Sequence, residues 1–159
     1  MRYQLSIPKG QALPADAADI AMSSAQAVYD ELCAYTLGRA DPGFIHQHVV
    51  DAFAAQTADE HTKPIALTFA LIGLYLHVEK QLSGRQIQRL HMRLARRKRS
   101  WPVFALPSDR GTITVAEVVA APAGAERDHA IRAWCASVWG AFHASQQTVT
   151  DLLMTHGIV

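Results

Sequence analysis

The amino-acid sequence predicts a compact all-α bundle of five or six helices. Apolar residues recur at intervals of three and four along nearly every segment, which is the spacing of one helical face. Proline and glycine separate these segments into lengths typical of helices. The chain has 159 residues, of which half are apolar and 18% are charged. That composition is adequate for one domain, 1–159, with a buried core, and it excludes a disordered chain.

The first helix is predicted over residues 15–37, behind a leader at 1–14 that proline and glycine interrupt. Gly38 ends this helix, because glycine readily adopts the left-handed conformation found at helix ends. A second helix follows from about Pro42 to Thr57. Apolar residues in the first helix have nearly helical spacing, at Ile20, Val28, Leu32 and Tyr35.

The third helix is predicted to begin with Pro64, since proline is well suited to a first helical turn. Its sequence, PIALTFALIGLYLHV, is apolar almost all round, so we expect neighbouring helices to cover it on every side. The run is too short for a membrane span and is interrupted by Thr68, Gly73 and His77. No membrane association is therefore expected.

The fourth helix is predicted to begin at Ser83, because Ser83 and Gln86 have the spacing of a capping box. An ordered loop is expected over 100–113. Thr114 and Glu117 repeat the capping-box spacing and predict a short helix to about Ala121. A last helix is predicted over 126–155, with one apolar stripe formed by Ile131, Trp134, Cys135, Val138, Phe142, Val149 and Leu152.

The fourth helix lies in a strongly basic segment. Residues 80–108 contain eight of the fifteen basic residues and no acid, whereas the rest of the chain has seven bases and all fourteen acids. Four arginines of this segment form a ridge along one face of the helix. The ridge could contact nucleic-acid phosphates, or it could pair with acids of this chain or of a second subunit. A solvated or salt-bridged face is favoured, because a pI near 7.9 is low for a DNA-binding domain. The ridge consists of Arg85, Arg89, Arg93 and Arg97.

The stretch FIHQHVVDAFAAQ, residues 44–56, carries the most chemistry. On a regular helix His46 and His48 point roughly 200° apart and cannot chelate one ion. His48 and Asp51 share a face, so they could supply two metal ligands or an imidazole with its carboxylate partner. Because no ligand motif such as HExxH completes such a set, no metal site is predicted. We expect Asp51 to be an inner carboxylate whose hydrogen-bond donor comes from the last helix.

Other polar and aromatic residues could complete a ligand pocket between the second, third and last helices. The plain alternative is that they make hydrogen bonds between helices, with the histidines at the surface. No nucleophile–base pair or phosphate-binding loop is visible, so catalytic residues and cofactors stay unassigned. The candidate pocket residues are His46, His48, Asp51, Gln56, Glu79, Trp139 and His143.

Residues along 44–150 follow a pattern at His46, Val50, Asp51, Ala52, Phe53, Gln56, Leu76, Glu79, Thr114, Val115, Trp134, Val138 and Trp139. This pattern resembles an uncharacterised bacterial family, a domain of unknown function. Thr57 stands where the family has a histidine, and the cysteine-bearing start often seen in the family is absent. A metal site built on those residues elsewhere would be incomplete here. The resemblance implies a helical fold and brings no known activity.

Together these patterns favour a small cytoplasmic protein with a binding or assembly role, forming homo-oligomers. Cys33 and Cys135 are isolated, as is usual in a reducing compartment, and no signal peptide is recognised. An alternative is an enzyme or a ligand- or metal-binding protein with a polar His/Asp/Glu pocket between helices. A second alternative is a nucleic-acid-associated protein that uses the basic helix at 85–99. Nucleic acid is thus a possible partner, though not the favoured one.

Overall fold

The computed structural model describes residues 15–97 and 100–158; the leader predicted at 1–14 lies outside these ranges. Within them the chain forms seven α-helices and no strand, which confirms the all-α prediction with at least one helix more than expected. A 3-10 turn at His143–Ser145 precedes the last helix. The helices are α1 (Ala15–Leu37), α2 (His46–Gln56), α3 (Pro64–Val78), α4 (Gly84–Ala95), α5 (Val115–Ala120), α6 (Ala125–Ala141) and α7 (Gln146–Thr155).

Helices α2 and α3 form an antiparallel pair at the centre of the fold. Helix α2 packs against α1, α3, α4 and α6, while α3 also contacts α4, α6 and α7. Nine consecutive or near-consecutive residues of α3 are buried, as its uniformly apolar sequence predicts. Among the described residues, no helix is long and apolar enough to cross a membrane, and α3 has only 15 residues.

Helix α2 begins at His46, four residues later than the predicted start at Pro42. The carboxylate of Asp41 accepts hydrogen bonds from the backbone N–H groups of Gly43 and Ile45, both at 2.8 Å. Those bonds hold the preceding residues in a turn, because they satisfy backbone donors that a helix would otherwise leave open. The hydrogen bonds of this turn therefore determine where α2 starts.

The two capping boxes expected from sequence have different outcomes. At α4 the Ser83 hydroxyl accepts a hydrogen bond from the Gln86 N–H, and the Gln86 side chain accepts one from the Ser83 N–H. At α5 the Thr114 side chain makes no capping hydrogen bond. The second box is therefore wrong as a capping motif, although a short helix does begin at Val115.

The single last helix predicted over 126–155 is wrong, because the structure divides it into α6 and α7. Helix α6 ends at Ala141, and Phe142 leaves helical geometry with φ −90° and ψ 26°. The Trp139 carbonyl accepts hydrogen bonds from the Phe142 N–H at 3.1 Å and from the Gln146 side-chain amide at 3.2 Å, which ties the end of α6 to the start of α7. The apolar stripe continues across the break, and so the periodicity of the sequence does not reveal it.

Candidate ligand-binding cavity

A cavity of about 650 Å³ lies beside α2 and α6, where the loop before α2 and the turn between α3 and α4 approach each other. Its size is within the range of pockets that bind small organic molecules. Its walls combine charged, polar and apolar side chains. They include Arg39, Asp41, Ile45, His48, His77, Val78, Leu82, Ser83, Gln86, Asp128, Arg132 and Ala136.

A stacked pair of histidines forms one wall of the cavity. The rings of His48 on α2 and His77 on α3 lie with centroids 3.6 Å apart and an interplanar angle of 22°. Burial lowers the pKa of His48 to about 3 and also lowers the pKa of His77, so both imidazoles are neutral at pH 7. The Nδ1 atoms of both rings are buried without a hydrogen-bond partner among the described residues. The pair is unusual because two neutral polar rings are stacked and buried together without a hydrogen bond from any described residue to either Nδ1.

The charged groups of the cavity are not equally engaged. Arg39, in the loop before α2, forms an ion pair with Asp128 on α6. Both oxygens of Asp41 accept backbone hydrogen bonds, and these bonds lower the pKa of the carboxyl. Arg132 on α6 has no carboxylate partner in the part of the chain that the structure describes. Its guanidinium is close enough to help lower the pKa values of His48 and His77.

Backbone strain is concentrated in the two loops that border the cavity. Across residues 15–97 and 100–158, the non-glycine residues with positive φ are Ala40 at 50°, Phe44 at 57° and Gln81 at 57°. Ala40 and Phe44 belong to the loop before α2, and Gln81 lines the cavity from the turn after α3. This left-handed conformation is unfavourable for residues with a Cβ and clusters at functional sites.

Asp51 lies one helical turn beyond His48 on α2 and does not line the cavity. Its side chain is buried against α3, where a Cβ added to Gly73 would stand 1.9 Å from Asp51 Oδ2. Gln47 on the same helix donates to Oδ1 at 3.1 Å, and Oδ2 has no partner. The donor expected from the last helix is therefore absent among the described residues. Burial raises the pKa of this carboxyl well above its usual range and favours its neutral form.

The other predicted pocket residues lie elsewhere. His46 Nδ1 lies 2.9 Å from the Thr36 hydroxyl, on the α1 side of α2. Glu79 accepts a hydrogen bond from the indole N–H of buried Trp139 at 2.9 Å. His143 is exposed in the 3-10 turn. Of the seven residues predicted to share a pocket, only His48 lines this cavity.

Gln56 has a structural position at the end of α2. Its side-chain oxygen accepts a hydrogen bond from the indole N–H of Trp134 at 2.9 Å, and its amide donates to the Ile113 carbonyl at 2.8 Å. Trp134 is fully buried. Gln56 therefore joins α2, α6 and the segment before α5 through one amide group.

No three His, Cys, Asp or Glu side chains within the described ranges come together so that they could hold a metal ion. The cavity instead combines residues that no sequence motif connects. Arg39 and Asp128 are separated by 89 positions, and His77 is an isolated polar interruption of the apolar α3. In the sequence, His77 was the feature that could have indicated this cavity, because a polar residue near the end of a buried helix requires a polar or open environment.

The four arginines of the arginine ridge differ in their surroundings. Arg85 lies over the ring of Phe44, 4.5 Å from its centroid, and donates a hydrogen bond to Gln88 at 2.8 Å. The three remaining arginines are exposed and contact no acid within residues 15–97 and 100–158. We call these the outer arginines: Arg89, Arg93 and Arg97.

The fold and the cavity define an all-α protein with a mixed polar and apolar cavity between its helices. The chain belongs to the family of unknown function DUF5946, whose sequence profile matches residues 16–143. Comparisons with curated proteins and with solved structures gave no match.

Proposed function

We propose that this protein binds a small organic molecule in the cavity beside the His48–His77 pair. The carrying observation is that two neutral, stacked imidazoles line a cavity of about 650 Å³ together with the guanidinium-bearing side chain of Arg132. The strained loops at the cavity edge support the same proposal.

Binding is favoured over catalysis by the chemistry of the two histidines. An effective general base at neutral pH has a pKa near 7, whereas that of His48 is about 3. Ser83 of the cavity wall is committed to the α4 cap, and buried Cys135, which does not line the cavity, donates to the His48 carbonyl. The pair is therefore suited to hydrogen bonding and stacking with a ligand.

Filling the cavity tests this proposal directly. Ala136 is an exposed α6 residue at the cavity wall, so Ala136→Trp would occupy part of the space. Ala125→Trp, at the exposed start of the same helix, is the matched control. A small-molecule library is screened by protein NMR. We expect shifts at residues around His48 with the wild type and the control, and their loss in Ala136→Trp. Ligands that bind all three proteins equally would refute the proposed site.

We further propose that the protein works in the cytoplasm as a homo-oligomer. Cys33 is half-buried and Cys135 fully buried, both as free thiols, which suits a reducing compartment. Met92, Val103 and Met154 are large apolar side chains left exposed on the described surface, and a second copy could cover them. Light scattering after size-exclusion chromatography tests this: a mass of 17.4 kDa at all concentrations would rule out self-association.

A further inference from the structure

We infer that the molecule bound in the cavity has an apolar body and an anionic group, and that Arg132 binds the anionic group. This inference rests on the proposed function and specifies its ligand. The anion would be a carboxylate or a phosphate, because the planar guanidinium group forms paired hydrogen bonds with either.

The first argument is the balance of charges around the cavity. Of the two cations in its wall, Arg39 is neutralised by Asp128. Of the two anions, Asp128 is therefore engaged, and Asp41 has both oxygens occupied by the N–H groups of the turn before α2. Arg132 is the one charged residue of the cavity without a partner among the described residues. A ligand anion is the missing partner that this arrangement accommodates.

The second argument is the position of Arg132 relative to the two histidines. Arg132, His48 and His77 line the same cavity, and the guanidinium is near enough to both imidazoles to help lower their pKa values. A neutral imidazole offers one N–H donor and one acceptor nitrogen. An anion beside Arg132 would therefore meet no charge on the two rings, whereas an ammonium group would meet the repulsion of the guanidinium.

The third argument concerns the rest of the ligand. Apolar side chains line the cavity together with the polar groups, and they come from the loop before α2, from α3, from α6 and from the turn between α3 and α4. Such surfaces bind the hydrocarbon part of a ligand by removing it from water. The apolar lining residues are Ile45, Val78, Leu82 and Ala136.

The test compares probes of one shape that differ in charge: 2-naphthoate, 2-naphthyl phosphate and the neutral 2-naphthamide. Binding to the wild type is measured by isothermal titration calorimetry. We expect at least one anion to bind roughly tenfold to a hundredfold more tightly than the amide, the range of a hydrogen bond between charged groups. The tighter of the two anions identifies the ligand as a carboxylate or a phosphate.

Two arginine variants then locate the charge. Arg132→Gln should remove the preference for the anion and leave binding of the amide unchanged. Arg93→Gln removes one exposed arginine from α4, away from the cavity lining, and should leave all three affinities unchanged. Circular dichroism and thermal melting confirm that both variants are folded, which is expected because both side chains are exposed.

The outcomes separate this inference from the proposed function. If the amide and the anions bind the wild type equally, and Arg132→Gln changes none of them, the anionic ligand is refuted while the cavity remains a binding site. If Ala136→Trp leaves the binding of every probe unchanged, the proposed site itself is refuted. If Arg93→Gln weakens the anions as much as Arg132→Gln does, the preference is a general charge effect and the role of Arg132 is refuted.

Discussion

Gly73 is the residue whose replacement should reveal most about the centre of the fold. It stands on α3 opposite Asp51, and a methyl group at this position would lie 1.9 Å from Asp51 Oδ2 and 2.5 Å from its Cγ. Ordinary contact requires about 3.5 Å, so the methyl is roughly 1.5 Å too close. The carboxyl has little room to withdraw, because Asp51 is only 3% exposed. Gly73→Ala therefore requires the two central helices to separate or the Asp51 side chain to change rotamer.

The size of the effect follows from two opposing contributions. Overpacking of a well-packed interior costs about 1–3 kcal/mol, whereas replacing glycine by alanine within a helix gains up to about 1 kcal/mol. The deep overlap at Gly73 places the steric cost at the upper end of its range. We expect the free energy of unfolding to fall by about 2 kcal/mol. For a chain of 159 residues this lowers the melting temperature by about 4–8 °C.

Thermal and denaturant unfolding followed by circular dichroism measure this change. The matched control is Gly140→Ala near the end of α6, where an added methyl would meet nothing within 4 Å. The control should gain about 0.5–1 kcal/mol through helix propensity alone. A double-mutant cycle with Asp51→Ala isolates the contact, since the new methyl then occupies space that the carboxyl has left. In that background Gly73→Ala should cost little or should stabilise.

The reasoning would be refuted if Gly73→Ala raised the melting temperature as Gly140→Ala does. It would also be refuted if Gly73→Ala cost the same free energy with and without the Asp51 carboxyl. Either result would mean that the close approach of α2 and α3 at this point does not depend on the missing side chain.

Three further predictions concern His48, Gln56 and the outer arginines. The pKa of His48 is about 3 in the folded protein, against an ordinary value of 6.5. The stability that depends on neutral His48 is therefore complete above pH 6.5 and is lost as the pH falls towards 3. Urea unfolding across this range should show a flatter decline of stability for His48→Gln, and the wild-type decline for the control His143→Gln. Gln56→Leu should cost about 2–3 kcal/mol in denaturant unfolding, because it strands the buried indole N–H of Trp134, while a loss below about 0.5 kcal/mol would contradict the role of that bond. Changing the three outer arginines together to glutamine should alter the free energy of unfolding by less than about 0.5 kcal/mol, because they contact no acidic side chain among the described residues. A larger loss of stability, or a different oligomeric mass in light scattering, would show that these arginines pair with acids of this chain or of a second copy.

Local chemistry explains which helices could be predicted from the sequence. The uniform apolarity of α3 required burial, and Ser83 with Gln86 defined the start of α4 by a motif only four residues long. The start of α2 depends on which backbone N–H groups donate to the Asp41 carboxylate, and the three-dimensional conformation of the turn determines this. The break after Ala141 was invisible because apolar spacing is preserved on both sides of it.

The cavity was harder to predict than the helices because its members are distant in sequence. His48 could be identified because it shares a helix face with Asp51 in a segment rich in histidine. Its stacking partner His77 and the nearby Arg132 come from two other helices, and only their packing brings the three together. Gln56, Glu79 and Trp139 were predicted to line the pocket, whereas they lie outside this cavity and their hydrogen bonds hold helices and segments to one another.

The ion pair between Arg39 and Asp128 connects the loop before α2 to α6 at the edge of the cavity, and both side chains are partly exposed to solvent. A pair in such a position contributes up to about 1 kcal/mol, so thermal motion separates it in a substantial fraction of molecules at any instant. Salt weakens it further, whereas it leaves the apolar walls unaffected. The proposed ligand should therefore leave the cavity faster at higher ionic strength. Its residence time in the cavity would then depend on the salt concentration of the solution.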